Sequence, residues 1–185
     1  MDTECTPNYA FKPIAEQALR PNQTVVPQRL NAALGLMNKT DVTRLIINSA
    51  SRFGSRNPQQ ICQLRDRLSK VDGSFVALGL LDVFLDSDLP PKESAAQELA
   101  GELLETAILL APESLENYIR AVLPRYELSV QQLPKYLART VGLRTLIETL
   151  DCIENEVLPE NWLRACKTLK FWLSGFEGAE GKGNV

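Results

Sequence analysis

Four thiols and a short row of carboxylates are the side chains of this sequence best suited to chemistry. Cys5, Cys62, Cys152 and Cys166 are scattered along the 185 residues, and no two of them form a CxxC pair. A zinc ribbon or a dithiol redox motif therefore has no support. Glu98, Glu102 and Glu105 recur at steps of four and three, which on a helix lines them along one side. Such a row could hold a metal or serve as an acid/base pair, but a solvated helix face has the same pattern. Asp86-Ser87-Asp88 is similar to the metal-binding DxD of glycosyltransferases. That motif belongs to nucleotide-binding α/β folds, and a helix-ending acidic turn explains it here.

The sequence contains no histidine. Its absence removes Ser-His and Cys-His nucleophiles, an imidazole base near neutral pH, and zinc or haem sites built on His. Neither GxxxxGK[ST] nor GxGxxG occurs, so phosphate cradles of those types are missing. No catalytic residue, metal ligand or cofactor is assigned from the sequence. Carboxylate, lysine or cysteine chemistry stays open.

The amino-terminal MDTECTPNYAFKP carries early acids and no apolar run, unlike a secretory leader. No stretch reaches the roughly 18 apolar residues of a membrane span. With unpaired cysteines, these features lead to the expectation of a cytoplasmic protein that does not enter a membrane.

The elements that must position these groups read as helices throughout. Residues 1–23 are polar, contain three prolines and lack a period, so an amino-terminal arm is expected. Thr24 and Pro27 open a segment with Leu30, Ala33, Leu34 and Met37 at helical spacing. The next starts near Thr40, with Val42, Leu45, Ile46 and Phe53 on its packed side. Asn57-Pro58 is an N-cap followed by proline at the first helical position. Ile61, Leu64, Leu68 and Val71 make the stripe behind it. Residues 74–85 are apolar almost all round, which marks the centre of the core.

The longest helix is expected over 92–110, on a stripe of Ala96, Leu99, Ala100, Leu103, Ala107 and Ile108. Pro112 opens a segment that Pro124 ends. Pro134 requires the following helix either to begin near Gln132 or to bend. Leu143 to Ile153 carry another stripe, and Pro159 opens the last, on Trp162, Cys166, Leu169, Leu173 and Phe176. A hairpin turned near Pro159 would place Cys152 and Cys166 equally far from the turn. Small buried thiols would occupy the same positions without pairing. Residues 177–185 are Gly-rich and read as a disordered tail. No alternating β-branched run appears.

The expected fold is all-α, with about eight or nine helices in a single domain over residues 24–176. Helix starts recur about every 16 or 17 residues, so a helix pair recurs near the periods of helical repeats. The stretch SFVALGLLDVFLDSDLPPKESAAQELAGELLETAIL resembles a HEAT repeat: an apolar helix, an acidic turn, then a helix rich in small residues. The resemblance covers that one pair. It implies a HEAT-like α-solenoid of stacked hairpins; an irregular helical bundle produces similar spacing.

Charge is segmented behind the net −3. Residues 39–72 sum to +4, 73–119 to −8, 120–145 to +4 and 146–161 to −5. Arg52, Arg56 and Arg65 in the first basic segment are candidate contacts for an anion or an acidic partner. The competing reading pairs them with acidic helices of the same chain. A nucleic-acid-associated protein using 39–72 and 120–145 is the alternative function, and a pI near 5.2 argues against it. On the last helix Arg164, Lys167 and Phe171 project off the core stripe and Trp172 flanks it, and the four are candidate partner-binding residues, an aromatic-and-cation mixture suited to a protein interface. A face buried under the amino-terminal arm would carry the same residues. The expected function is a non-catalytic adaptor, chaperone or inhibitor binding a partner protein, with a homo-oligomer equally compatible.

Overall fold

A computed structural model describes residues 37–86 and 94–175. The arm at 1–23, the segment opening at Thr24 up to residue 36, the turn after Asp86, Phe176 and the tail at 177–185 lie outside the described residues. Within them the chain forms eight α-helices and no strand. These are α1 Lys39–Phe53, α2 Pro58–Leu68, α3 Gly73–Val83, α4 Ser94–Leu104, α5 Leu115–Val122, α6 Gln132–Val141, α7 Leu143–Glu154 and α8 Glu160–Leu173. A 3₁₀ turn, Leu123–Arg125, follows α5. No helix among the described residues is long and apolar enough to cross a membrane.

The boundaries follow local chemistry. Asn38 and Asp41 each accept the other's backbone N–H at 3.1 Å, a capping box that opens α1. Asn57 accepts from the N–H groups of Gln59 and Gln60, and Pro58 takes the first turn, where no N–H is needed. Asp72 accepts from Ser74 N–H at 2.8 Å, which starts α3 and holds its carboxyl below the usual range. Pro134 sits in the first turn of α6, so that helix begins at Gln132 and needs no bend. Gly142, at φ +91°, reverses the chain between α6 and α7, a conformation other residues rarely adopt.

Two expectations are corrected. The helix expected to run to Leu110 stops at Leu104, and α1, at 15 residues, is longer than α4. Beyond Leu104 the chain tightens, with Thr106 N bonded to Leu103 O and Ala107 N to Leu104 O. Tyr136 then captures the departing strand of chain: its hydroxyl accepts from Leu110 N at 2.9 Å and donates to Ile108 O at 2.8 Å. Phe53, expected on the packed side of α1, is 61% exposed because it falls in the last turn, just before Gly54 ends the helix.

Helices α1, α3 and α4 pack on one another, with α2 at their edge against α1 and α4. Helices α6, α7 and α8 form a second group, with α5 on α7 and the 3₁₀ turn against α8. Contact between α4 and α6 joins the groups into one continuous hydrophobic core. The apolar α3 supplies its centre through Ala77, Leu80, Leu81 and Val83, followed by Phe84. Close approach of α1 and α3 depends on Gly79. A Cβ there would lie 2.6 Å from Val42 Cβ and 2.7 Å from Lys39 O. The Gly79 carbonyl instead accepts from Thr43 Oγ1 at 2.9 Å.

Polar clamps tie the second group together and to the first. Gln97, buried on α4, donates to Arg125 O at 3.0 Å and accepts from Glu127 N at 2.9 Å. Tyr118 donates to Leu81 O at 3.0 Å across the joint. Tyr126 bonds the carbonyl of Val130. Burial raises the ionisation of all three tyrosines, Tyr118, Tyr126 and Tyr136, so they remain neutral donors.

Candidate functional site

The last helix presents the first candidate surface. Arg164, Lys167 and Phe171 are spaced three and four apart, so α8 carries them on one side. With Glu160, Leu163 and Thr168 they line a shallow depression of about 490 Å³. Phe171 is 66% exposed. Its neighbour Trp172 is half-buried and faces another way, donating from Nε1 to Leu128 O at 3.0 Å. The two rings meet edge to face, 5.2 Å between centroids and 62° between planes. The structure thus brings Arg164, Lys167 and Phe171 together and places Trp172 behind them as a prop. Lys170, on the inner flank, bridges Asp151 at 2.6 Å and Glu154 at 2.5 Å, which ties α8 to α7 and raises its own ionisation.

The three arginines of the first basic segment separate. Arg65 pairs with Glu102 at 3.2 Å, and Arg56 lies 3.9 Å from Glu98, which also accepts from Ser55 Oγ at 2.5 Å. Lys39 pairs with Asp82 at 3.0 Å. For these residues the intrachain reading of the charge blocks holds. Arg52 has no ion pair with any described residue. It lines a groove of about 520 Å³ between α1 and α2, as does Arg67.

The carboxylate row is not a site. Glu98 and Glu102 are engaged by Ser55 and the two arginines, and Glu105 lies beyond the end of α4. Among the described residues, no group of three Cys, Asp or Glu side chains is placed to hold a metal. The thiols differ from one another. Cys166 is buried and donates to Leu150 O at 3.4 Å, and burial pushes its ionisation up to about 11. Cys152 and Cys62 are exposed, and all three are free. Cys152 is therefore not the second buried thiol that the hairpin argument weighed.

Gln60 was missed by the reading of sequence. It is 6% exposed, in the wall of the α1–α2 groove, and its Nε2 donates to Ser49 Oγ at 2.6 Å. Its Oε1 is buried without a hydrogen-bond partner among the described residues. An unpaired buried acceptor costs about 1–3 kcal/mol. The signal was present: residues 60, 64 and 68 share one stripe, and only the first is polar. Arg67, on the adjacent side of the same helix, carried no comparable mark.

Fold and surfaces together define a helical module whose exposed features are an aromatic-and-cation face on α8 and a polar groove between α1 and α2. No protein-family model matches the chain, and no curated protein or solved structure was found to match it.

Proposed function

We propose that this chain is a non-catalytic helical module that binds a partner protein through the outer face of α8. Phe171 is its anchor, and Arg164 and Lys167 orient the partner. The observation that carries this reading is an aromatic ring left two-thirds exposed on a helix whose inner side is fixed. Phe171 leans on Trp172, and Trp172 is held by its bond to Leu128. A ring held in this way loses little freedom on binding, and central aromatics supply much of the affinity of protein interfaces. Neither Arg164 nor Lys167 is paired with a described carboxylate, so both are free to steer an acidic partner. Adaptor, chaperone and inhibitor are variants of this one physical role. Free exposed thiols fit a reducing, cytoplasmic setting.

The test is quantitative capture from the native cell with the wild-type chain, Phe171→Ser, and the double variant Arg164→Glu/Lys167→Glu. The expected result is a defined protein recovered by the wild type and lost by both variants at unchanged unfolding midpoint. Equal recovery by all three contradicts the reading. A wild-type mass that doubles with concentration, and reverts in Phe171→Ser, identifies the partner as a second copy.

A further inference from the structure

We propose, on the footing that α8 is the binding face, that the partner segment seated there is itself a helix, amphipathic and acidic, lying antiparallel along α8. Every residue lining the depression belongs to α8. Glu160, Arg164, Lys167 and Phe171 recur in it at steps of four, three and four, the spacing of a seam that takes a second helix. From the first to the last of them the seam is about 16 Å long. An extended segment would bring unpaired backbone N–H and C=O groups to a surface made of side chains, because the backbone of α8 is bonded within its own helix. Thr168 on the flank offers it little, since its hydroxyl already donates to Arg164 O at 2.9 Å. A helix arrives with its backbone groups paired.

Charge selects the side chains of that helix. Arg164 and Lys167 have no ion pair with a described carboxylate, and Glu160 has none with a described cation. The occupant that fits sets acids opposite Arg164 and Lys167, a base opposite Glu160 and an apolar side chain on Phe171. Run antiparallel, it reads Leu, Glu, Glu, Lys at steps of four, three and four. Its second Glu then precedes Lys by four, an order that stabilises the helix itself. A second α8 laid in register does not fit. Antiparallel, it sets Arg164 against Lys167 twice; parallel, it sets each cation against its own copy.

The probe is a lactam-stapled, fluorescein-labelled peptide of about fifteen residues that carries this pattern on an alanine background. Its anisotropy is followed as the full chain is added. Saturable binding is expected below about 1 mM. Phe171→Ser and the double variant Arg164→Glu/Lys167→Glu should each weaken it by about tenfold or more, at unchanged unfolding midpoint. The double variant should instead take up a peptide whose two Glu are replaced by Lys, which the wild type leaves in solution. Arg52→Glu/Arg67→Glu, an equal change of charge on the α1–α2 groove, should alter wild-type binding less than about twofold. No saturable binding overturns the proposal, as does a failed exchange of charge or equal weakening by the groove variant. Equal binding of an unstapled peptide with proline at its centre also overturns it, because the occupant then need not be helical. If a cellular protein is captured through Phe171, Arg164 and Lys167 but the stapled peptide is not bound, α8 stands as the binding face and its helical occupant falls. A mass that doubles with concentration and reverts in Phe171→Ser overturns the acidic helix in favour of a second copy.

Discussion

The two halves of the molecule share one hydrophobic core but differ in the contacts that set their helices against one another. In the first, α1, α3 and α4 approach through small residues: Gly79 meets the backbone of α1, and Ala96 and Ala100 are buried along α4. In the second, side chains reach across to backbone carbonyls, as Tyr126, Tyr136, Cys166 and Trp172 all do. Close approach at small residues marks the first half, where Thr43 Oγ1 also donates to Gly79 O, and side-chain hydrogen bonds to carbonyls mark the second. The difference bears on the candidate surfaces. The α8 face stands on the hydrogen-bonded half, which sets its aromatic prop in one orientation. The groove stands on α2, an edge helix that buries only Gln60, Leu64 and Leu68.

Substitutions that add one carbon or remove one oxygen sharpen this comparison. Gly79→Ala should have the largest effect, a loss of about 3 kcal/mol, because the new methyl meets backbone oxygen that cannot withdraw without separating α1 from α3. Urea denaturation reads it directly. Gly101→Ala should cost less, about 1 kcal/mol, since its nearest obstacle is the Val130 side chain at 2.9 Å. Equal losses would mean that the backbone contact at Gly79 is not what sets the spacing of α1 and α3.

Tyr136→Phe tests the second half. It orphans Leu110 N and Ile108 O, and a loss of about 2 kcal/mol is expected. Hydrogen exchange should then rise over 105–110 before anywhere else. A thermal midpoint unchanged by this substitution would break the contrast between the halves.

The smallest effects are ionic. Arg120 bonds Glu116 at 2.8 Å and Glu156 at 2.5 Å, and its bond to Glu156 holds that carboxyl below its usual value of 4.5. A carboxyl depressed in the folded state stabilises the fold above its ordinary value. That contribution disappears as pH falls through the depressed one. Glu156→Gln should therefore lower stability slightly at neutral pH, and its difference from the wild type should shrink to nothing as pH falls below about 4.5. In thiol labelling at neutral pH, Cys62 and Cys152 should react in the native chain, whereas Cys166 should react only on unfolding.

Much of the helical order was legible in the sequence because caps and prolines act locally. Asn57-Pro58, Asp72 and Pro134 each mark a boundary within a residue or two of where the chain turns. The early end of α4 was not legible. Its apolar period continues through Ala107 and Ile108, and the segment that follows is held by a hydroxyl more than twenty residues away, on Tyr136. The candidate surfaces divide the same way. Spacing along α8 put Arg164, Lys167 and Phe171 on one side, a property of a single helix. The orientation of Trp172 toward Leu128, and the partition of the arginines between paired and free, depend on which helices pack together. Composition along one segment carries no such information.

The central claim, that the α8 face is where a partner binds, is tested most directly by photo-crosslinking from a benzophenone side chain placed at position 171. Val157, 104% exposed on the turn before α8, is the matched control position. The account predicts a discrete crosslinked protein in cells from position 171 and none from 157. No adduct at 171, or the same adducts from both positions, would contradict it.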